Sequence, residues 1–588
     1  MNRQRAMLVV AATISLLILG ATEYSASAAN AMQGTAYQPK WWKEAVVYQV
    51  YPRSFKDSNG DGIGDLKGIT SKLDYIQRLG VNVIWLSPHY DSPNADNGYD
   101  IRDYRKVMTD FGTMADFDDL LRGIKQRKMK LILDLVVNHS SDEHAWFTES
   151  RKSTDNPYRD YYIWRPGKDG REPNNWTSFF SGSAWKLDPA TNEYYLHLFA
   201  EKQPDLNWNN PKVRSEVYDL MRFWLDKGVD GFRMDVIPFI SKREGLPDLP
   251  PDYLTRPQYF YAMGPRLHEY LQEMNREVLS NYDVMTVGEA FGVTLEQTPS
   301  LVDERRHELN MIFNFDVVRL NRDGGKWRNW TLPEMKAIYT TEDKALDVHS
   351  WNTVFLSNHD NPRAVSSFGD DSPAFRVTSA KLLATMLLTL KGTPFIYQGD
   401  ELGMTNYPFT RIEQFDDIEV KNAWKARVLT GKIKADDYIA DLRKTSRDNS
   451  RTPMQWDNSA NGGFTMAATP WLAVNPNYKD INAAQEGGDP DSIYNYFCAM
   501  VALRSKTPAL VYGDYQDLDP QNANIFAYTR TLGTDKYLAV LNFSKDGVSY
   551  TLPGGLKAGK LQISNLFTKE AKTRTLKLKG WEARVYKQ

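Results

Sequence analysis

The sequence predicts an α/β protein: a (β/α)8 TIM barrel with a small domain inserted after the third strand and a C-terminal antiparallel β-sandwich. Three observations carry this. Short β-branched or aromatic runs alternate with longer segments of helical period. Eight such runs occur before residue 400. After about Val511 the pattern changes to short alternating strands separated by Gly, Asp and Lys. Alternating strand and helix calls for a parallel sheet with crossover helices, and eight repeats in ~450 residues suit a closed barrel with insertions.

The eight expected strands are Val46–Tyr51, Val83–Leu86, Lys130–Val137, Gly231–Met234, Val284–Val287, Met311–Phe315, Thr353–Leu356 and Phe395–Tyr397. Helical period between them is clearest at Ile69–Leu79, Met114–Arg127, Val213–Lys227 and Phe375–Leu390. Two gaps break the rhythm. Residues 140–210, rich in Trp, Tyr, Asn, Asp and Gly, read as the inserted domain. Residues 404–489 hold a charged helical part, Glu419–Arg447, and the segment Ser450–Asp457. The expected division is therefore a leader at 1–28, a barrel at 41–139 and 211–510, the insertion at 140–210 and a sandwich at 511–588. The last is built on Ile525–Arg530, Tyr537–Phe543, Ser549–Leu552, Leu561–Ser564 and Ala583–Tyr586.

A chain of 588 residues is too long for one core, and 41% apolar with 25% charged residues is ordinary globular composition. The net charge of -2 argues against nucleic acid or a charged membrane surface as partner. Aromatics make up 12%; they stack on sugar rings but also fill cores, so composition alone does not decide between these. At the N-terminus, Arg3 and Arg5 precede an apolar run, Ala6 to Ala21, followed by the small-x-small site Ala26-Ser27-Ala28. This is the pattern of a cleaved secretory leader and implies a periplasmic or secreted protein; as an uncleaved anchor the run is short. With Cys498 as the only cysteine no intramolecular disulfide exists, and its apolar neighbours predict a buried core thiol.

Active sites of such barrels form at the C-terminal ends of the strands. There the sequence places Asp96-Asn-Gly-Tyr-Asp100, Asn138-His139, Gly231-Phe-Arg-Met-Asp235, Gly288-Glu289 and Asn358-His359-Asp360. Cleaving an acetal with retention needs two carboxyl groups ~5 Å apart, one to attack the anomeric carbon and one to protonate the leaving oxygen. Arg233, two residues before Asp235, points to the same face and is expected to keep Asp235 ionised. Glu289 is expected to have a raised pKa from burial beside like charges. His139 and His359 are candidates for hydrogen bonds to sugar hydroxyls. Any one of these residues alone is more readily a cap or a structural group; the ordered set at successive strand ends is what carries the reading.

The segments Asp134-Leu-Val-Val-Asn-His139, Gly231-Phe-Arg-Met-Asp235, Gly288-Glu289 and Ser357-Asn-His-Asp360 resemble the conserved regions of glycoside hydrolase family 13, the α-amylase family. The resemblance implies Asp235 as nucleophile, Glu289 as acid/base and Asp360 as the carboxylate gripping sugar hydroxyls in the transition state. It further implies that Asp96, Tyr99, His139, Arg233 and His359 line the glucose subsite, and Phe180, Phe199 and Gln203 are expected to bind substrate as well. Gln203-Pro-Asp-Leu-Asn207 resembles the oligo-1,6-glucosidase branch, and Val236 resembles enzymes of that branch that handle α-1,6 links. Hydrolases of the branch usually read Glu-Met-Pro-Gly after the acid/base; here it is Glu289-Ala-Phe291-Gly. The segment Phe313–Asp323 is similar to the sucrose isomerases of the family, whose loop typically reads Arg-Leu-Asp-Arg-Asp; this chain has Asn321 at the middle position. That similarity makes sucrose the expected substrate and Phe291 and Phe315 an aromatic clamp, with Arg319, Arg322 and Arg451 toward fructose. An oligo-1,6-glucosidase or sucrose hydrolase, and an inactive carbohydrate-binding barrel, stay open as alternatives. A monomer is expected.

After the first strand comes Asp57-Ser-Asn59-Gly-Asp61-Gly-Ile63-Gly-Asp65. Oxygen ligands at alternate positions with glycines between suit a structural Ca2+, though Gly68 stands where an EF-hand would place Glu. The same loop in the oligo-1,6-glucosidase branch implies Asp57, Asn59, Asp61, the Ile63 carbonyl and Asp65 as ligands. Nothing in the sequence calls for an organic cofactor.

Overall fold

The structure, a computed structural model, describes residues 37–568 and 572–588; the leader expected at 1–28 lies outside them. Its centre is an eight-stranded parallel sheet of β1 (Val47–Val50), β2 (Val83–Leu86), β3 (Lys130–Leu135), β4 (Gly231–Met234), β5 (Met285–Glu289), β6 (Met311–Phe313), β7 (Thr353–Val354) and β8 (Thr393–Tyr397). The strand order is β6-β5-β4-β3-β2-β1-β8-β7. The two ends of that order meet where the Thr353 hydroxyl donates to the Ile312 carbonyl at 2.9 Å, so β6 and β7 close the barrel through a side chain. β1 and β4 are buried along their whole length, as expected of strands with packed elements on both faces. Gly231 opens β4 with φ 145°; a Cβ there would lie 1.9 Å from the Met285 carbonyl, so β4 and β5 approach closely only with glycine.

The crossover helices follow from apolar spacing and from caps. Helix Met114–Gln126 buries Phe117, Leu120, Leu121 and Ile124, and a capping box between Thr113 and Asp116 starts it. Helix Pro211–Asp226 is capped by Asn210, begins with Pro211 and buries Val213, Val217, Leu220, Met221 and Trp224. The segment expected as one helix over Ile69–Leu79 is two, Leu66–Ser71 and Leu73–Leu79, with Lys72 between them outside helical geometry. Helix Arg376–Thr389 is buried from Ser379 to its end, because the helix Ile493–Ser505 and the C-terminal sheet pack over it.

Within 140–210 the strands Trp164–Pro166, Glu193–Leu196 and Trp185–Asp188 form a three-stranded sheet, with Glu193–Leu196 in the middle. The excursion after β8 is helical in pieces, chiefly Ile418–Ala423 and Ala435–Thr445. The C-terminal region is a two-layer antiparallel structure. A five-stranded sheet orders Asp514–Asp517, Ile525–Leu532, Asp535–Asn542, Ala583–Lys587 and Lys560–Ser564; Val548–Thr551 pairs with Thr575–Leu578 in the second layer. Asp514–Asp517, polar and half-exposed, and Thr575–Leu578, short but with Leu576 and Leu578 buried, are strands that the sequence did not single out.

Two buried arginines lie at the seam between the barrel and this sheet, Arg504 on helix Ile493–Ser505 and Arg530 on the strand Ile525–Leu532. Arg504 donates to the carbonyls of Leu388, Leu390, Gly392 and Leu510, and Arg530 to those of Thr389, Leu510, Val511 and Gly513. Neither has a carboxylate partner among the described residues. The carbonyl ends of helices Arg376–Thr389 and Pro508–Tyr512 supply the compensating partial negative charge. Cys498 is half-buried, not a core thiol; it lies on helix Ile493–Ser505 with its thiol toward the Arg78 carbonyl at 3.4 Å.

Candidate active site

The C-terminal ends of β3, β4 and β5 bring three carboxyl groups to one guanidinium. Arg233 is 1% exposed; its Nη1 lies 2.6 Å from Asp235 and 2.6 Å from Asp134, and its Nη2 2.6 Å from Glu289. Glu289 is the last residue of β5, and its side chain is within hydrogen-bonding reach of Asp235. The Val236 amide donates to the same Glu289 oxygen at 3.1 Å. That contact requires Val236, a buried β-branched residue, to sit at φ 34° and ψ 38°, in the left-handed region. Such a conformation costs on the order of 1–3 kcal/mol and persists only where the surroundings enforce it.

Burial raises the Glu289 carboxyl to about 7; Arg233 opposes this, and Asp235 and Asp360 add to it. This agrees with the expectation for a proton donor. Arg233 favours the ionised form of Asp235, against strong burial. Burial lifts it as well, to about 6, and Arg233 does not restore the ordinary value because it is shared with Asp134 and Glu289. The order survives: of the pair, Asp235 loses its proton first.

Asp360, after β7, is held differently. Burial works to raise it, but His359 beside it and the Arg447 and Arg451 guanidiniums hold it well below the usual carboxylate range. Arg451 Nη2 is 2.7 Å and Arg447 Nη1 3.4 Å from its Oδ1. Gln49 donates to His359 Nδ1 at 2.8 Å, which leaves the ring proton on Nε2, toward Tyr99 Oη at 2.6 Å and Asp360 at 3.1 Å. Tyr99 stacks on His359 at 5.3 Å. Gln203 donates to Asp96 at 3.0 Å and contacts His139 Nε2 at 3.2 Å. Phe199 packs on His139 at 5.1 Å and Phe180 on Phe199 at 5.7 Å. Burial lowers both His139, to about 4, and His359, the latter against the Asp360 carboxylate beside it. The glucose-side residues named from the sequence therefore form one contiguous, buried rim.

The residues expected toward fructose divide. Phe291 and Phe315 lie 5.6 Å apart at a 48° tilt, and the Arg319 guanidinium sits over both, 4.2 Å from Phe291 and 5.3 Å from Phe315. Arg319 is exposed. Arg322 instead donates to Asn361 at 2.6 Å. Arg451 is 1% exposed; its Nε donates to the His359 carbonyl and its Nη2 to Asp360, while its buried Nη1 keeps no hydrogen-bond partner.

Three participants were missed. Arg447 pairs with Asp417 at 2.5 Å, approaches Asp96 at 3.6 Å and Asp360 at 3.4 Å, and covers the Phe180 ring at 5.2 Å. Its spacing of four from Arg451 was the available signal. Asp134 stood inside a quoted motif; Trp85 donates to it at 2.7 Å, fixing the carboxylate that holds Arg233. Phe179 extends the aromatic wall, 5.2 Å from Phe291 and 5.5 Å from Phe239.

In the loop after β1, Asp57 accepts from the Asn59, Gly60 and Gly62 amides and the Thr465 hydroxyl, Asp61 from the Ile63 amide, and Asp65 from Ser58 and Gly68. The donor set is all oxygen, which fits a hard cation, and each carboxylate keeps acceptor capacity. Among the described residues, however, no three His, Cys, Asp or Glu side chains are gathered as a metal cage.

Comparison with known proteins adds context to this geometry. Residues 49–513 match the model of the α-amylase catalytic domain, and residues 525–585 that of the α-amylase SusG C-terminal domain. The chain is 56% identical over 557 residues to an oligo-1,6-glucosidase from Parageobacillus thermoglucosidasius, covering 93% of this chain and 99% of the relative. It is 55% identical to a solved isomaltulose synthase variant from Erwinia rhapontici in complex with its natural substrate sucrose, with TM-score 0.92 and coverage of 93% and 99%. It is 53% identical to a trehalulose synthase from Pseudomonas mesoacidophila, with TM-score 0.92 and coverage of 94% and 100%. No helix among the described residues is long and apolar enough to cross a membrane.

Proposed function

The chain belongs to the α-amylase family, and we propose that within it this enzyme is a sucrose isomerase forming isomaltulose and trehalulose with minor hydrolysis. The observation that carries the finer reading is the Phe291–Phe315 pair under Arg319 at the mouth of the carboxylate rim.

Asp235 attacks the glucosyl C1 of sucrose while Glu289 gives its proton to the fructosyl oxygen, leaving a covalent glucosyl-enzyme. Asp360, kept anionic by its arginines, takes hydrogen bonds from glucose hydroxyls and strengthens them as positive charge develops on the ring. Free fructose then turns. Glu289, now a base, deprotonates its 6-OH or 1-OH, which attacks C1 and releases Asp235. Water competes for the same carbon at every turnover. An apolar wall of Phe179, Phe291 and Phe315, with an exposed cation that can hold fructose hydroxyls, favours retention of fructose over entry of water.

The relatives divide between the two chemistries, and an oligo-1,6-glucosidase is the second reading, supported by the 56% identity to a protein of that name. A product chromatogram of the purified mature enzyme on sucrose separates them. A dominant isomaltulose or trehalulose peak supports isomerisation, and equimolar glucose and fructose make it a hydrolase. Two further parts of the proposal rest on sequence patterns: Ca2+ held by the Asp57–Asp65 loop, and export of a monomer after cleavage near Ala28. N-terminal sequencing of protein recovered outside the cytoplasm tests the latter.

A further inference from the structure

At the end of the barrel opposite the carboxylate rim, a cavity of about 20 Å³ lies where helix Leu332–Ala345, the entries to β7 and β8, and the C-terminal sheet meet. Tyr339, Glu342, Asp343, Asn352, Lys391 and Tyr515 line it. A water molecule needs roughly 10–15 Å³ of such space, so the cavity admits one water-sized occupant and excludes a sugar ring.

Its chemistry selects among occupants of that size. Tyr339 is 7% exposed and its hydroxyl has no partner. Glu342 is 6% exposed and forms no ion pair among the described residues, whereas Asp343 is neutralised by Lys391 at 3.1 Å. With both carboxyls ionised, two carboxylates against one ammonium leave one negative charge, on Glu342, whose side chain accepts a hydrogen bond from Asn352. The atoms available to an occupant are oxygens of a carboxylate, phenols and an amide. One surplus charge is too little for a divalent ion, which seeks several carboxylates, and an anion would be repelled. We propose that this cavity is a site for a single alkali cation, Na+ or K+, which bridges Glu342 and Tyr339 and ties helix Leu332–Ala345 to the C-terminal sheet. Burial, reinforced by Asp316 and Asp343, raises the Glu342 carboxyl to about 7, the behaviour of a carboxylate lacking its counter-ion.

The test is thermal unfolding of the full chain at constant ionic strength in Na+, K+ or tetramethylammonium, which is too large to enter, with 1 mM CaCl2 throughout to keep the Asp57 loop constant. The expected result is a Tm higher by roughly 2 °C in one of the alkali cations. That increment disappears in Glu342→Gln and shrinks in Tyr339→Phe. Equal Tm values in all three salts overturn the proposal, as does a cation response that Glu342→Gln retains. Should Glu342→Gln fail to fold, crystals of the wild-type enzyme soaked in Rb+ decide: an anomalous peak between Glu342 and Tyr339 supports the site, and none there overturns it.

Discussion

The Arg319 guanidinium lies 4.2 Å from the centre of the Phe291 ring, exposed on one side and stacked on the other. A cation over an aromatic face is attracted by about 0.5–2 kcal/mol and shields the ring edge from water. On the proposed function, the pair closes the aglycone end of the site. Phe291→Ala and Arg319→Ala are expected to shift partitioning toward water by about 1 kcal/mol, a roughly fivefold larger share of glucose plus fructose. Unchanged product ratios in both variants would remove the clamp from the mechanism.

Asp235→Asn keeps the volume and loses the nucleophile. Turnover on sucrose is expected to fall by on the order of 10⁴ or more, with no glucosyl adduct detectable by mass spectrometry after rapid quench. Residual turnover within tenfold of wild type contradicts the assignment.

The pH profile follows from the pair. Activity requires Asp235 ionised, and this is lost as pH falls through about 6; it requires Glu289 protonated, and this is lost as pH rises through about 7. A narrow bell in kcat/KM between those limbs is expected, with apparent values belonging to the coupled pair. In Glu289→Gln the residual activity should lose the alkaline limb and keep the acid one.

His89 offers a stability test away from catalysis. It is fully buried, both ring nitrogens lack partners, and it stacks on Phe117 at 5.0 Å. Burial lowers its pKa to about 3. The unfolded chain binds the proton below about 6.5, so the proton-linked cost of this residue vanishes above that pH and grows progressively as pH falls toward 3. His89→Leu is therefore expected to gain on the order of 2 kcal/mol at pH 5 relative to its effect at pH 8, read from denaturation midpoints at both.

If the Asp57–Asp65 loop holds Ca2+, chelation should lower Tm by a few degrees and Ca2+ should restore it. Asp57→Asn should abolish that response without changing the product ratio. A Tm indifferent to chelator in the wild-type enzyme argues for a loop held by its own hydrogen bonds alone.

What the sequence by itself determined is the local and the periodic. The eight strands appear within two residues of the expected ends, because β-branched runs bounded by helical period leave few other registers. The chemistry-bearing residues follow those strand ends directly, so Asp235, Glu289 and Asp360 could be named together without coordinates. Helix Arg376–Thr389 shows where that legibility stops: its burial on all sides comes from a sheet more than a hundred residues later in the chain.

Only the tertiary structure decided how charges are shared. Arg233 was named as the partner of Asp235, yet it divides itself among three carboxylates and leaves Asp235 at about 6. Arg451 was expected at fructose and turns one nitrogen to Asp360, while Arg447, unnamed, bridges Asp96, Asp360 and Asp417. An arginine's reach exceeds the spacing of neighbouring strand ends, so its partner is set by which carboxylates are buried beside it. Burial is a property of the whole packing and has no signature in the residues that it surrounds.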